Sequence, residues 1–276
     1  MVRENFVDVD GLRIRYLEEG SGPAVVLLHG ASLGSSADVW TGNLPDLAAH
    51  GLRVIACDQP GFGGSDTPAD PSLAYRTRFV PAFIEALGLK QAHLVGHSQA
   101  GRIAVSLALQ RDARVSKVLA LGTGSLLPPL PGAAKADAEG EDGGAAEPTL
   151  DETRRMLEEN LFNRTLVTPQ VLQTRQRMST GRNFRAFLER QQVRGGTKDA
   201  KPASRALWEQ LGEVPVPLRL IYGRQDRGNA AERAALALER CPKLDLHLLD
   251  RCKHLVQWDA AERFAALCGA FLSEKS

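Results

Sequence analysis

Apolar residues along the chain fall into short blocks separated by turn formers, and the blocks alternate between two periodicities. Phe6–Val9 and Leu12–Leu17 flank Asp10-Gly11, a dipeptide that supplies positive φ in a tight turn, so an antiparallel hairpin opens the chain. After Gly20-Ser21-Gly22-Pro23, the unbroken apolar run Ala24–Leu28 reads as a strand buried on both faces. The amphipathic stretch Leu44–His50 and the run Val54–Cys57 follow it, and together they predict β-α-β with a parallel sheet. Ala82–Leu87 reads as helix and His93–Val95 as a short buried strand, while Ala104–Leu109 continues a helix that begins directly after Ser98. Val118–Leu121, Leu218–Tyr222 and Leu246–Leu249 are further buried strands, with Ala230–Leu238 and Ala260–Phe271 as helices between and after them.

The alternation stops after the strand at Val118–Leu121 and resumes only near residue 217. Pro128–Pro148 is rich in Gly, Ala, Asp and Glu, and Leu150 to about Leu211 shows helical rather than alternating periodicity. The pattern predicts a core formed by residues 1–124 and 212–276, interrupted by a helical cap over 125–211. The Ala133–Ala146 stretch offers few large apolar side chains to bury, reads as a loop, and is assigned no chemistry.

Composition narrows the function classes. The 276 residues carry 43% hydrophobic and 24% charged residues, with 34 Lys plus Arg against 33 Asp plus Glu. A net charge of +1 and the lack of a basic patch exclude nucleic acid as an expected partner. Cys57, Cys241, Cys252 and Cys268 form no CxxC pair and no Cys/His metal spacing, so neither a metal nor a disulfide framework is expected, and a reducing compartment is. The amino-terminal segment lacks a leader-like apolar core, and no apolar run approaches the ~20 residues of a membrane span. A cytoplasmic protein with no membrane association is the expectation.

Candidate chemistry concentrates at three strand ends. Gly96-His97-Ser98-Gln99-Ala100-Gly101 follows a predicted strand and precedes a helix, the context in which a GxSx(G/A) string holds its serine in a sharp, strained turn with the hydroxyl exposed. Asp226 stands after the strand Leu218–Tyr222 and His254 after Leu246–Leu249. A serine hydroxyl at neutral pH needs an imidazole to take its proton, and a carboxylate to fix the imidazole's tautomer. Ser98, Asp226 and His254 supply those groups in the order Ser, Asp, His. The loop His29-Gly30-Ala31-Ser32 lies after a central strand. The N–H of Ser32, or next to it Ala31, together with that of Gln99, could stabilise an oxyanion. His29 is expected to brace this loop rather than act as a base, and the glycine-rich Asp58–Ser65 turn to support the same sheet edge.

Through LLHGASLG, DQPGFGGSD, HLVGHSQAG, LIYGRQD and CKHLVQWDAAERF, the chain resembles the α/β-hydrolases over nearly its full length. Within them it is most similar to the meta-cleavage product hydrolases, which split a carbon–carbon bond in the dienoates formed by aromatic ring opening. The resemblance implies an α/β fold of mostly parallel sheet with an inserted helical cap, the Ser98–Asp226–His254 triad, and no metal or organic cofactor. It implies that Thr165 and Arg175 of the cap bind the dienoate carboxylate, a task that suits the planar fork of arginine. The family usually has asparagine where this chain has His97, tryptophan where it has Leu255 and another asparagine where it has Trp40. These three positions are therefore expected to touch a small-molecule substrate.

Two other functions fit the same residues. A carboxylesterase or lactonase would use the same triad without an arginine clamp, and a non-catalytic small-molecule receptor could be built on the same fold. Dehalogenase and epoxide hydrolase chemistry require a carboxylate nucleophile where Ser98 stands. Relatives often associate, so a homodimer is expected by analogy alone. Phe184, Phe187, Leu188 and Trp208 are expected to pack.

Overall fold

The computed structural model describes residues 1–132, 145–196 and 205–274. Most of the Ala133–Ala146 segment singled out above lies outside them. Eight strands form one sheet in the order β1-β2-β4-β3-β5-β6-β7-β8. β1 (Arg3–Val9) and β2 (Leu12–Gly20) make the expected hairpin, with Asp10 at φ 53° and Gly11 at φ 81°. β2 runs antiparallel to β4 (Arg53–Cys57); from there β3 (Ala24–Leu28), β5 (Ala92–His97), β6 (Val115–Leu121), β7 (Leu218–Gly223) and β8 (Asp245–Leu249) are all parallel.

The central strands read as continuous apolar runs because both faces are covered. Val26, Leu28, Ile55, Leu94 and Val118 face one hydrophobic layer, built with α2 (Leu73–Ala86), α3 (Gln99–Leu109) and α7 (Ala230–Arg240). Val25, Leu27, Val54, Val95 and Leu119 face the other, built with α1 (Leu44–Ala48) and, after the single turn α8 (Val256–Asp259), α9 (Ala261–Ser273). The two-residue alternation of strand side chains makes this division. Each fully buried Val or Leu contributes roughly 1.5–3 kcal/mol from burial.

β6 and β7 are neighbours in the sheet although nearly a hundred residues separate them in the chain. The described part of that excursion contains α4 (Leu150–Glu159), α5 (Pro169–Met178) and α6 (Arg182–Gly196), joined by irregular turns. α4 starts at a reciprocal capping box between Thr149 and Glu152, and α5 at Thr168, whose side chain accepts from Val171 N–H ahead of Pro169. Phe184 and Phe187 on α6 pack with Leu33 and Leu188, and Trp208 lies beneath the Arg240 guanidinium, as side chains with packing roles should. Asp259 ties the excursion to the core by accepting from Phe162 and Asn163 N–H. All four cysteines are free thiols. No described helix is long and apolar enough to cross a membrane.

Candidate active site

Ser98 occupies the turn between β5 and α3 with φ 56° and ψ −127°, a conformation that costs a non-glycine residue roughly 1–3 kcal/mol. Its surroundings enforce it. Ser98 N–H donates to Leu121 O at 2.7 Å, and Ser98 O accepts from the Thr123 hydroxyl at 2.8 Å and from Gly101 N–H at 3.0 Å. The flanking small residues are demanded by contact: a Cβ on Gly96 would sit 2.5 Å from the backbone of Ala100, and one on Gly101 would overlap the Thr123 hydroxyl. The strained strand–turn–helix inferred from GHSQAG is therefore present.

The next two strand ends bring Asp226 and His254 together. His254 Nδ1 lies 3.1 and 3.2 Å from the two Asp226 carboxylate oxygens, and both side chains are buried. Asp226 Oδ1 also accepts from Arg227 N–H at 2.7 Å, which fixes the carboxylate. A carboxylate can only accept, so the proton of a neutral His254 resides on Nδ1 and leaves a lone pair on Nε2. That Nε2 is buried without a hydrogen-bond partner. Gly122, at φ 54°, passes beneath the pair, where a Cβ would come within 3.2 Å of His254 Nδ1 and 3.3 Å of Asp226 Oδ2. A carboxylate-oriented imidazole with an available Nε2 is equipped to accept and return one proton.

The loop after β3 is held from below. His29 is fully buried; its Nε2 accepts from Gln59 N–H at 3.0 Å, so Nδ1–H donates to Gly30 O at 2.6 Å, while the Gln59 amide donates to His29 O. Burial drives its pKa down to about 3, which keeps the ring neutral. Its task is bracing, as the sequence suggested. Asp58 anchors the far end of the loop by accepting from Ala37 N–H and Gly64 N–H, each at 2.6 Å, and from Arg15 at 3.0 Å. Arg15 also grips Asp38 through two bonds of 3.1 Å and Glu4 through one of 2.6 Å.

A cavity of about 280 Å³ opens beside these groups, lined on the core side by Gly30, Ser32, His97, His254 and Leu255 and on the other by residues of α4 and α5, among them Arg175. The cavity thus joins His97, Leu255 and Arg175, three of the expected binding positions, and the expected oxyanion donor Ser32 to His254 of the Asp–His pair. Arg175 reaches the loop, with Nη1 3.4 Å from Ser35 Oγ. Gln99 is the first residue of α3, and its side chain is held by the Arg76 guanidinium. Ala31 is buried and does not line the cavity.

Two expectations fail. Thr165 is exposed on a single turn (Arg164–Leu166), where its hydroxyl donates to Asn163 Oδ1 at 2.7 Å; it lies before α5 begins and does not reach the cavity. Trp40 is fully buried in the core against Phe264, with ring centroids 6.1 Å apart, and so forms no pocket wall. The tight turn Ala37–Trp40 sends its largest apolar side chain inward and leaves Val39 and Thr41 on the cavity. Sequence reasoning also passed over Gln170, Val171 and Thr174, which share a helical face with Arg175, and Trp258, whose indole N–H donates to Val39 O at 2.6 Å. The i, i+1, i+4, i+5 spacing of the α5 residues is a readable signal once the inward face of that helix is known.

The alpha/beta hydrolase fold family model matches residues 23–261. A 2-hydroxy-6-oxo-6-phenylhexa-2,4-dienoate hydrolase of Burkholderia cepacia is 32% identical, the alignment covering 96% of this chain and 93% of the relative. A 2-hydroxy-6-oxononadienedioate/2-hydroxy-6-oxononatrienedioate hydrolase of Burkholderia vietnamiensis is 34% identical over 95% of this chain and 91% of its own. Among solved structures, a meta-cleavage product hydrolase from Pseudomonas fluorescens IP01 superposes with a TM-score of 0.76 at 25% identity, covering 97% and 96% of the two chains. With its sheet order, its strained Ser98 turn and a match from residue 23 to 261, the chain belongs to the α/β-hydrolase fold family.

Proposed function

We propose that this protein hydrolyses the C5–C6 bond of 2-hydroxy-6-oxo-hexa-2,4-dienoate-type ring-fission products, with Ser98, His254 and Asp226 as its catalytic triad. The observation that carries the reading is the joining, in one cavity, of Arg175 with His254 of the buried Asp226–His254 pair. Relatives whose names specify dienoate hydrolysis support it. An ester needs no cation in the cavity that His254 lines; a dienoate carries a carboxylate that does.

In the proposed reaction Arg175 binds the substrate carboxylate through its planar fork. The 2-hydroxyl proton moves to C5 through the site, turning the dienol into a 2,6-diketone. Ser98, or a water activated by His254, then adds to the C6 carbonyl while His254 Nε2 takes the proton and Asp226 stabilises the resulting imidazolium. The N–H groups of Ser32 and Gln99 receive the oxyanion. Collapse breaks C5–C6; the electron pair leaves into the dienolate of 2-hydroxypenta-2,4-dienoate, and C6 departs as a carboxylic acid once water has been added. Neither a metal nor an organic cofactor takes part. Residues 125–211 act as the cap that carries Arg175 over the core.

Replacing Arg175 with Ala tests the clamp. Turnover of 2-hydroxy-6-oxo-6-phenylhexa-2,4-dienoate should fall ~10²-fold or more in kcat/KM, the loss of a charge-assisted contact of about 3 kcal/mol, while hydrolysis of p-nitrophenyl acetate changes little. Equal losses on both substrates would remove the clamp and favour an esterase.

A further inference from the structure

Asp226 orients the ring of His254, but the aim of Nε2 also depends on the main chain that carries the ring. Three hydrogen bonds fix that main chain. The His254 carbonyl accepts from His97 Nε2–H at 3.0 Å, Leu255 N–H donates to Asn160 O at 3.0 Å, and Lys253 N–H donates to Asp259 Oδ2 at 2.9 Å. The second bond comes from the cap directly, because Asn160 ends α4. The third comes from it indirectly. The carboxylate that holds Lys253 also accepts from Phe162 N–H, at 2.9 Å on Oδ2 and 3.1 Å on Oδ1, and from Asn163 N–H at 2.9 Å on Oδ1. Asp259 therefore joins the peptide just ahead of His254 to the two peptides that follow α4. Met156, Leu157 and Asn160 of this α4 segment line the cavity together with Arg175, and the Thr153 hydroxyl of α4 donates to Gln176, the residue after Arg175 on α5.

We infer that Asp259 is a positioning residue that makes the aim of His254 depend on the seat of the cap. The inference rests on the triad proposed above and adds what places its base. A cap displaced by about an ångström carries Asn160 O and the Phe162 and Asn163 N–H groups with it, pulls the Asp259 carboxylate and the Lys253 and Leu255 peptides along, and shifts Nε2, a misplacement that costs up to ~10²-fold in rate. Proton transfer is then efficient only while the cap that carries Arg175 sits on the core. A carboxylate suits this joint because both of its oxygens accept and neither donates. An asparagine keeps one acceptor oxygen, so either the Lys253 or the Asn163 N–H would face an NH₂ group.

The test uses the full chain with Asp259→Asn and reads two quantities that need no dienoate. The first is the limiting first-order rate constant for inactivation by an alkyl fluorophosphonate, in which Ser98 Oγ bonds to phosphorus, fluoride leaves and His254 takes the hydroxyl proton. A first-order constant is unaffected by an unfolded fraction, and it should fall ~10–100-fold. The second is hydrogen–deuterium exchange: segments 160–163 and 253–255 should both exchange about 10-fold faster than in the unaltered protein. From the cap side, Asn163→Pro, which removes the N–H that Asp259 accepts, should have an inactivation constant about 3-fold below that of Asn163→Ala, which keeps it. An unchanged constant in Asp259→Asn, faster exchange confined to one of the two segments, or equal constants in the two Asn163 variants overturns the inference. An unaltered protein that does not react with the fluorophosphonate overturns the triad itself.

Discussion

Replacing Asp58 with Asn removes one charge from a buried carboxylate that does not line the cavity, and should still unsettle the site. Asp58 Oδ1 accepts from Ala37 N–H, while Oδ2 accepts from Gly64 N–H and Arg15. An asparagine keeps one oxygen, and the arrangement that preserves more bonds places it at the Oδ2 position, so its NH₂ faces Ala37 N–H. One buried backbone donor then loses its acceptor, a cost of about 1–3 kcal/mol. Arg15 loses one buried carboxylate but keeps Asp38 and Glu4, which holds that part at or below the low end of the ~3–5 kcal/mol for breaking a buried pair. Together the change should destabilise the fold by about 3–5 kcal/mol, or on the order of 10 °C in melting temperature for a chain of this size. Urea denaturation followed by circular dichroism measures it. Because Ala37 closes the loop that starts at His29, turnover should also drop, by up to ~10²-fold if the loop N–H groups shift by about an ångström. A loss of less than about 1 kcal/mol with unchanged turnover would refute the claim that Asp58 holds the loop.

Two further outcomes follow from buried groups around the site. Gly122→Ala forces a methyl into the αL conformation and against the Asp226–His254 contact, so kcat should fall roughly 10–100-fold while substrate affinity is nearly kept; unchanged kcat would mean the pair tolerates displacement. Stability should decline on acidification from about pH 6.5: burial lowers His29 to about 3 and His93 to about 4, so between those values and the ordinary histidine pKa only the unfolded chain binds their protons. Urea midpoints from pH 7 to 4 read this, and His29→Asn should flatten the slope; an equal slope in both proteins would show that His29 does not supply it.

Much of this molecule is legible in its sequence, and the limits follow a physical line. The hairpin at Asp10-Gly11, the two-faced strands and the turn at Ser98 are dictated locally, by residues whose φ preferences or periodicity admit few alternatives. α2 shows where local rules mislead: its pattern is clear only over Ala82–Leu87, yet the helix starts at Leu73, capped by Ser72, and runs through Pro81. Burial of Phe79, Val80, Phe83 and Ile84 against the sheet offsets the proline. Position in a motif puts Trp40 and Thr165 in the pocket, but in irregular segments the direction of a side chain is settled by packing. Trp40 had a core to enter, and Thr165 had only Asn163 to bond. Arg175 and Leu255, carried on α5 and just ahead of α8, lie where the motif placed them.

The most direct test of the account is stopped-flow absorbance of the purified protein with 2-hydroxy-6-oxo-6-phenylhexa-2,4-dienoate, run beside its Ser98→Ala variant. Rapid loss of the dienoate chromophore with release of benzoate and 2-hydroxypenta-2,4-dienoate is expected, slowed by ~10³-fold or more in the variant. A chromophore that persists with the unaltered protein while p-nitrophenyl acetate is hydrolysed through Ser98 would contradict it.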